Sequence, residues 1–493
     1  MKNKKVGGLI LIGLLAVGLR CLFIDTRGLI YDDAFSILLS RLPLTDIITG
    51  TAADTMPPLY YFLLHLWMMG GDSIWFIRLP GILLSLVGIC LLYVVINELF
   101  GEKAAMVSAF LASISPLQIY HAQDVRMYTL MQAGQLAFIW FFIKLWKNEK
   151  GHRPIFYWMG LTLSGTISLY SHNLAGFILL PPIIFLLWKK EWRKTGSILL
   201  AYLLIGLLFL PWALYLPGQL NKVQAAFWTP RPGLVEVLQV MIQFTANLPL
   251  ANLYWLGTVA VLALFLCIVL GMELAKDKQK PDEKMLLFLL ILATPFCTFL
   301  ISYFYRPVFV ARGFIVNSMF FLGLVGWVTS LNWKKITGWI PVFILMFCAC
   351  IGLPYQMPFN QFPRSPFEQA GYYLAQNAKA DDGIIHDNKL SFFPLHFYQP
   401  DLEEGFIQDE PGSGNDTLAP ATQRVLNLFP QTDIRTAAGN KNSLYFIVFS
   451  ETIREYGQMD KKHPALEWLE SKYRLHDHIY INDLELFYFV KPG

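Results

Sequence analysis

The chain has 493 residues, of which 55% are hydrophobic and only 15% are charged, and its mean hydropathy is +0.45. Because soluble globular proteins carry about a quarter charged residues, this composition excludes a disordered chain and argues against a water-soluble enzyme. The net charge of +4 is too small to indicate a nucleic-acid partner. All six cysteines lie inside apolar stretches, so we interpret them as small hydrophobic residues rather than as disulfides or metal ligands.

Before residue 355 the sequence contains about eleven apolar stretches long enough to cross a bilayer as helices. The first follows Lys2, Lys4 and Lys5 and is not followed by a small-residue cleavage site, so we expect an uncleaved anchor rather than a signal peptide. The predicted spans are 6–24, 77–99, 104–120, 126–146, 155–171, 174–188, 197–216, 252–272, 285–303, 314–331 and 337–353.

The distribution of Lys and Arg predicts the orientation of these spans. Basic residues cluster in alternate loops, as in 189–194 and 276–284, whereas the intervening loops hold single arginines. Because cytoplasmic loops are enriched in Lys and Arg, we predict a multi-pass protein of the plasma membrane with a cytoplasmic N-terminus. An odd number of spans then places the C-terminus outside.

Residues 355–493 have a different character, with most of the acidic residues and no spanning stretch. Short apolar runs at 444–449 and 484–490 predict strands, and the pattern of 367–378 predicts an amphipathic helix. We therefore expect a polytopic α-helical membrane domain over 1–354, followed by an extracytoplasmic soluble α/β domain over 355–493.

The first outer loop, 25–76, is acidic and contains two apolar segments, 29–42 and 57–69, that are too short to span and are predicted to lie in the membrane interface as helices. Asp32 and Asp33 stand at the start of the first one, where the helix dipole favours negative charge. One interpretation is an ordinary pair of helix-start carboxylates. The other is a general base or metal ligand held above the bilayer.

Three further outer segments carry polar residues at the ends of predicted spans. An interfacial turn explains Tyr120 but does not explain why Gln123, Asp124 and Arg126 follow it, since polar groups near the membrane are costly. His172 lies at another outer end, where a structural role is the commoner one. Deeper in a late span, the guanidinium of Arg312 needs an anionic partner, either a carboxylate or a lipid phosphate.

These motifs resemble those of the polyprenyl-phosphate-sugar-dependent glycosyltransferases with the GT-C membrane fold, in particular bacterial relatives of the protein O-mannosyltransferases and of the lipid A aminoarabinose transferase. The likeness extends over most of the chain, and its specificity comes from the order of the motifs and their common side of the membrane. The matching stretches are 31–36 (Tyr-Asp-Asp-Ala-Phe-Ser), 57–61 (Pro-Pro-Leu-Tyr-Tyr), 78–81 (Arg-Leu-Pro-Gly), 115–116 (Ser-Pro), 123–128 (Gln-Asp-Val-Arg-Met-Tyr), 170–172 (Tyr-Ser-His) and 368–374.

The resemblance implies an inverting transfer of a sugar from a polyprenyl phosphate to an acceptor hydroxyl or other nucleophile of a lipid, glycan or protein. Asp32 would be the general base, with Asp33 as a second catalytic carboxylate. Arg126 and Arg312 would bind the donor phosphate. The residues implied to shape or orient the pocket are Tyr60, Gln123, Asp124, Tyr128 and His172.

The resemblance leaves the need for a divalent metal ion open, with Asp33 and Asp124 as its candidate ligands. Two positions depart from the family pattern. Gly313 follows Arg312 where the family usually has Tyr, and Asp33 replaces the commoner Glu, which shortens the side chain by one methylene.

Two alternatives remain at this point. A transporter or flippase of an anionic lipid or solute would carry ionisable residues at the membrane midplane, but the charges here fall at the outer ends of spans, and no internal repeat is seen. A catalytically inactive relative of the glycosyltransferases is the other alternative, and the presence of Asp32 and Arg126 argues against it.

Overall fold

The computed structural model describes residues 2–148, 154–225, 231–248, 253–409 and 417–492. Short 3₁₀ helices at Asn173–Leu179, Ala311–Phe314 and Ile336–Trp339 precede three of the α-helices in its first part. The α-helices of this part are α1 (Lys2–Cys21), α2 (Tyr31–Ser40), α3 (Leu44–Ala53), α4 (Leu59–Met68), α5 (Ile74–Phe100), α6 (Glu102–Ile114), α7 (Pro116–Ala122), α8 (Tyr128–Lys147), α9 (Pro154–Ser171), α10 (Leu180–Trp188), α11 (Trp192–Ala213), α12 (Leu216–Ala225), α13 (Leu234–Thr245), α14 (Leu253–Lys276), α15 (Pro281–Phe304), α16 (Ile315–Leu331) and α17 (Ile340–Gln356).

Helices occupy most of each predicted span, and six helical segments among the described residues are long and apolar enough to cross a membrane by length and composition. These six segments are Ile74–Phe100, Trp192–Ala213, Tyr254–Lys276, Pro281–Phe304, Ala311–Leu331 and Ile336–Gln356. The polytopic helical fold is therefore confirmed, whereas the number eleven stays a prediction.

One predicted span is not continuous. The segment 104–120 was expected to be a single helix, but the chain breaks between α6 and α7, where Ser115 is extended and Pro116 begins the next helix. Proline has no N–H to continue a helix and disfavours a helical residue before it, which explains the break.

The helices form a bundle whose two ends differ in charge. At one end, segments predicted to be cytoplasmic meet each other, with Lys147 3.0 Å from Glu283 and Lys189 2.5 Å from Asp282. At the other end, the predicted outer segments meet around Asp32. The relative placement of the loops therefore agrees with the pattern of basic residues, and the absolute orientation stays a prediction.

After α17 the chain forms a five-stranded sheet in the order β2-β1-β3-β5-β4. Strand β1 is parallel to β2 and to β3, whereas β5 is antiparallel to both β3 and β4. The elements are α18 (Phe367–Asn377), β1 (Gly383–His386), α19 (Lys389–Tyr398), β2 (Glu404–Phe406), α20 (Pro420–Leu426), α21 (Ile434–Ala438), β3 (Ser443–Phe449), α22 (Ser450–Gln458), α23 (Pro464–Lys472), β4 (Arg474–Ile481) and β5 (Leu484–Val490).

This α/β arrangement confirms the predicted fold class and the predicted strands at β3 and β5. Side chains on β3 alternate between the two faces of the sheet, as the two-residue period of a strand requires. Phe446 and Val448 pack in one hydrophobic cluster, whereas Tyr445 and Ile447 pack in the other. The sheet is therefore covered on both faces.

The sheet domain rests on the short helices of the first outer loop. Phe393 of α19 packs its ring 5.2 Å from that of Tyr31 at the start of α2. The Thr422 hydroxyl of α20 donates to the carbonyl of Gly50 on α3. The domain thus fixes the position of α2, the helix that carries Asp32.

Two residues of the Arg-Leu-Pro-Gly stretch in α5 hold the outer segments in place. The Arg78 guanidinium donates to the carbonyls of Ile24 (2.5 Å) and Arg27 (2.7 Å). Gly81 faces the 122–124 backbone so closely that an added Cβ would lie 2.6 Å from the Ala122 carbonyl oxygen. A residue with a side chain would push that segment away.

We therefore expect Gly81→Ala to destabilise the protein by about 1–3 kcal/mol, because backbone cannot move aside as easily as a side-chain tip. Thermal unfolding in detergent measures this effect. Gly206→Ala is the matched control, since nothing lies within 4 Å of a Cβ built at this helical glycine. Equal melting temperatures for the two variants would contradict the close approach.

Candidate active site

A cavity of about 300 Å³ is lined by residues of α2, α7, α13, the 3₁₀ helix before α16 and the end of α17. Its lining combines charged, aromatic and amide side chains. These side chains belong to Asp32, Tyr120, His121, Asp124, Arg126, Tyr128, Gln243, Asn247, Arg312, Gln356, Phe359 and Phe362.

Asp32 is the carboxylate at the centre of this cavity. Its Oδ2 lies 3.2 Å from Arg312 NH1 and 4.0 Å from Arg126 Nε, and its side chain keeps 23% of its exposure. Burial opposes ionisation, but the two guanidinium groups outweigh it and hold the pKa of Asp32 below its ordinary value. The predicted base and the two predicted phosphate ligands therefore meet in one site, and Asp32 is ionised at neutral pH.

Arg126 reaches the cavity from the loop before α8, and α2 and α4 hold it from behind. Its NH1 donates to the Ser36 hydroxyl at 3.2 Å and to the Tyr61 hydroxyl at 3.3 Å. Its Nε is buried and has no hydrogen-bond partner among the residues that the structure describes. An unsatisfied guanidinium donor beside a cavity suits an oxyanion ligand.

Asp33 has a different position from its neighbour. It is fully buried, does not line the cavity, and accepts the Val125 backbone N–H at 2.9 Å. Burial raises the pKa of Asp33, and Arg364 and the Val125 N–H offset this only in part. The resemblance implied a second catalytic carboxylate, but this geometry gives Asp33 the task of positioning the backbone next to Arg126.

Arg364 connects Asp33 with Asp124 and comes from the linker between α17 and α18. Its NH2 lies 2.5 Å from Asp124 Oδ1, and its NH1 lies 3.4 Å from Asp33 Oδ2 and 2.7 Å from the Gly28 carbonyl. The Tyr120 ring stacks against it, with 5.0 Å between the guanidinium carbon and the ring centroid. Its side chain is only 1% exposed.

Asp124 is held on both oxygens. While Arg364 contacts Oδ1, His121 Nδ1 lies 2.8 Å from Oδ2, and Arg27 is 3.8 Å away. Burial opposes ionisation, but His121 and the arginines hold the pKa of Asp124 well below its usual range. Asp124 therefore acts as an anchor for the arginines behind the cavity wall.

The proposed metal ligands do not fit a cation. The carboxylates of Asp33 and Asp124 both form ion pairs with Arg364, whose guanidinium group lies between them. In the described part of the chain, no group of three or more His, Cys, Asp or Glu side chains is arranged to hold a metal ion.

Tyr128 and His172 stand next to each other, with ring centroids 5.9 Å apart. The Tyr128 hydroxyl is buried, lines the cavity and has no hydrogen-bond partner within the described ranges, so it is available to a ligand. His172 instead accepts the Leu174 N–H and begins the following 3₁₀ helix. Burial and the nearby arginines lower the pKa of His172 to about 3, so its ring is neutral. His172 does not line this cavity but lines a neighbouring one, so its implied pocket role stays a prediction.

Tyr60 and Gln123 lie outside the cavity lining. Tyr60 packs in a hydrophobic cluster, and the neighbouring Tyr61 is the tyrosine that contacts Arg126. The Gln123 amide is used by the end of α1, where its Nε2 donates to the Arg20 and Leu22 carbonyls. The positions of Tyr60 and Gln123 therefore do not support the pocket role that the resemblance implies for them.

Sequence reasoning missed Arg364, Tyr61 and the pair of His121 with Asp124. Arg364 had one available signal, because it is a lone arginine between Pro363 and Ser365-Pro366 in the segment that connects the last span to the helix predicted at 367–378. Tyr60 and Tyr61 belong to the same sequence motif. Only the packing of α4 shows that Tyr61 is the one that contacts Arg126.

Removing Arg364 would leave two buried carboxylates without their shared cation. We expect Arg364→Met to lower the free energy of unfolding by about 3–5 kcal/mol, which thermal unfolding in detergent would show as a lower melting temperature. The matched control is Arg454→Met, which removes an exposed arginine paired with Glu451 and is expected to change stability little.

A second substitution separates charge from packing in this prediction. Adding Asp124→Asn to Arg364→Met removes one of the stranded charges and is expected to restore part of the lost stability. If Arg364→Met melted like the wild type, the central place of this arginine would be refuted.

Residues 55–215 match the family model described as dolichyl-phosphate-mannose-protein mannosyltransferase. No curated protein matches the sequence of this chain. Several solved structures, in contrast, are similar to this protein over nearly its whole chain.

The crystal structure of ArnT from Cupriavidus metallidurans in the apo state is 12% identical, covers 98% of each chain and has a TM-score of 0.63. The form of ArnT bound to undecaprenyl phosphate has a TM-score of 0.60, again with 12% identity and 98% of each chain covered. The oligosaccharyltransferase of Archaeoglobus fulgidus, tethered with an acceptor peptide, is 14% identical and has a TM-score of 0.55 over 100% of this chain and 74% of its own. Residues 55–215 thus match the mannosyltransferase family model, and the fold of the whole chain is similar to that of ArnT and of the archaeal oligosaccharyltransferase.

Proposed function

We propose that this protein transfers a sugar from a polyprenyl phosphate to an acceptor hydroxyl, with inversion, at the outer face of the plasma membrane. The observation that carries the proposal is the contact of Asp32 with Arg126 and Arg312 in one cavity. A carboxylate is the base that the acceptor needs, and two guanidinium groups suit the donor phosphate. The acceptor hydroxyl would belong to a lipid, a glycan or a protein.

Each bond change in this reaction has a partner in the cavity. Asp32 takes the proton of the acceptor hydroxyl as its oxygen forms a bond to the anomeric carbon. The bond from that carbon to the phosphate oxygen breaks, and the electron pair leaves with the polyprenyl phosphate. Because attack and departure occur on opposite faces of the sugar, the configuration inverts. Arg126 and Arg312 stabilise the charge that grows on the phosphate.

The ion pair of Asp32 with Arg312 also suggests how the charged side chains of the site are stabilised before the donor binds. The arginine is bound to a carboxylate before the donor arrives, so it is not left without an anion. A donor phosphate would join this contact, and Asp32 would stay beside both guanidinium groups while it takes the proton of the acceptor hydroxyl.

A second cavity supports a lipid-linked donor. It has a volume of about 450 Å³ and shares Val310 and Arg312 with the first. Its other walls are mainly apolar, with Leu169, Phe177 and Phe209 among them. A polyprenyl chain fits this chemistry, since its phosphate would then lie at Arg312, between the two cavities.

The charge distribution favours this reaction over transport. The buried charged side chains of the described helical domain lie at helix ends or in the adjoining loops, as Arg20, Arg78, Asp124 and Arg126 do. A transporter would need such groups near the midplane. We infer an enzyme that works at one membrane surface.

The reaction is tested with purified protein, a polyprenyl-phosphate sugar and a panel of acceptors, and with release of polyprenyl phosphate as the measurement. We expect Asp32→Asn to lower the transfer rate by about 10²–10⁴-fold, because the amide cannot accept the proton. Asp72→Asn, an exposed position in the same loop, is the matched control and should keep its rate. Full activity of Asp32→Asn would rule out this role.

The lowered pKa of Asp32 predicts the pH dependence of the reaction. The base form is populated above its pKa, which lies below the ordinary 3.8, so kcat/KM should show no acid limb from Asp32 between about pH 5 and about pH 8. Arg312→Gln removes one of the charges that lower this pKa, so the acid limb of its residual activity should move to higher pH. The measurement is the pH profile of kcat/KM for the acceptor with donor at saturation. A wild-type limb near pH 6 would contradict the assignment.

A further inference from the structure

The carboxylates that line the cavity are already neutralised by the protein. In the described part of the chain these carboxylates are Asp32 and Asp124. Asp32 contacts Arg312, and Asp124 contacts Arg364 and His121. No carboxylate among the described lining residues is therefore left over for a positively charged group on a substrate.

The cationic side chains are in excess around the same space. Arg126 and Arg312 line the cavity, Arg27 and Arg364 lie directly behind its wall, and Lys389 is close enough to act on the Asp32 carboxylate. A donor phosphate offsets part of this charge. An ammonium group on the sugar would meet net repulsion.

The wall formed by α13, the residues after it and the end of α17 has a different chemistry. Gln243 and Asn247 bring neutral amides to this wall, and Phe359 and Phe362 add aromatic surface. The Gln356 amide is used within the protein, where its Nε2 donates to the Ala246 carbonyl. Amides both donate and accept hydrogen bonds, which matches the hydroxyl groups of a sugar. Aromatic walls with a few polar groups are typical of binding sites for small molecules.

We propose that the wall of Gln243 and Asn247 is the sugar subsite and that it selects an uncharged, hydroxyl-bearing sugar against an amino sugar. The proposal rests on the function proposed above and names its substrate class. The guanidinium side of the cavity holds the phosphate, and the amide side holds the sugar ring. An amino sugar is disfavoured because the cavity offers no unpaired carboxylate to its ammonium group and because arginines are in excess around the cavity.

The experiment compares two donors that differ only by one hydroxyl replaced by an amine, polyprenyl-phosphate glucose and polyprenyl-phosphate glucosamine. The concentration of each donor that half-stabilises the purified protein against heat is measured at about pH 6, where the amine is cationic. We expect the glucose donor to bind about fivefold more tightly or better, the size of one modest charge interaction. Equal binding, or tighter binding of the glucosamine donor, would overturn the proposal.

A carboxylate placed on the amide wall should reduce or abolish the preference. Gln243→Glu is expected to improve binding of the amino-sugar donor relative to the neutral one by about fivefold. Asn247→Asp is a second variant of the same design, at a left-handed position that Asp tolerates. Gln239→Glu is the matched control, one turn earlier on α13 and not in the cavity lining, and should leave the ratio near that of the wild type.

The outcomes separate the two proposals. If both wall variants keep the wild-type binding ratio while melting at the wild-type temperature, the sugar subsite lies elsewhere. If the donors bind with the expected preference but no acceptor releases polyprenyl phosphate, the subsite stands and the transfer reaction fails.

Discussion

The site depends on the contact of Arg364 with Asp33 and Asp124. This buried arginine comes from the linker to the sheet domain, and its two carboxylates come from α2 and from the loop after α7. Bringing three charged groups out of water is costly unless they satisfy each other, so the arrangement is held in one geometry. The linker, the first outer loop and the loop before α8 therefore adopt fixed positions relative to each other.

From that contact the geometry of the cavity follows step by step. Asp33 fixes the Val125 N–H, which places the adjoining Arg126 against Ser36 and Tyr61. The helix that carries Asp33 turns Asp32 toward the cavity, because successive residues of an α-helix point about 100° apart. The adjacent carboxylates therefore have different roles. Asp33 positions the backbone next to Arg126, and Asp32 faces the cavity as the proposed base.

The sheet domain contributes to the same constraint from above. Its α19 and α20 pack on α2 and α3, so the outer loop is clamped between the membrane helices and the domain. Gly81 and Arg78 complete the clamp from below by letting the 122–124 segment approach and by holding the carbonyls of the 24–27 turn. The cavity is therefore assembled by segments that lie far apart in the sequence.

Sequence reasoning reached the parts of this architecture that depend on local pattern. Apolar length predicted the helices, alternation predicted β3 and β5, and the scarcity of outer charges led to Asp32, Arg126 and Arg312. It could not reach Arg364, because its partners lie 331 and 240 residues away and no periodicity reports such a contact. The choice between Asp32 and Asp33 likewise depends on how α2 packs.

The central claim is that Arg126 and Arg312 hold the donor phosphate with the sugar facing Asp32. A cryo-EM structure of the Asp32→Asn variant with a bound polyprenyl-phosphate hexose tests it most directly. The account predicts the phosphate within hydrogen-bond distance of both guanidinium groups and the anomeric carbon turned toward position 32. A phosphate bound away from both arginines, with the cavity around Asp32 empty of sugar, would contradict it.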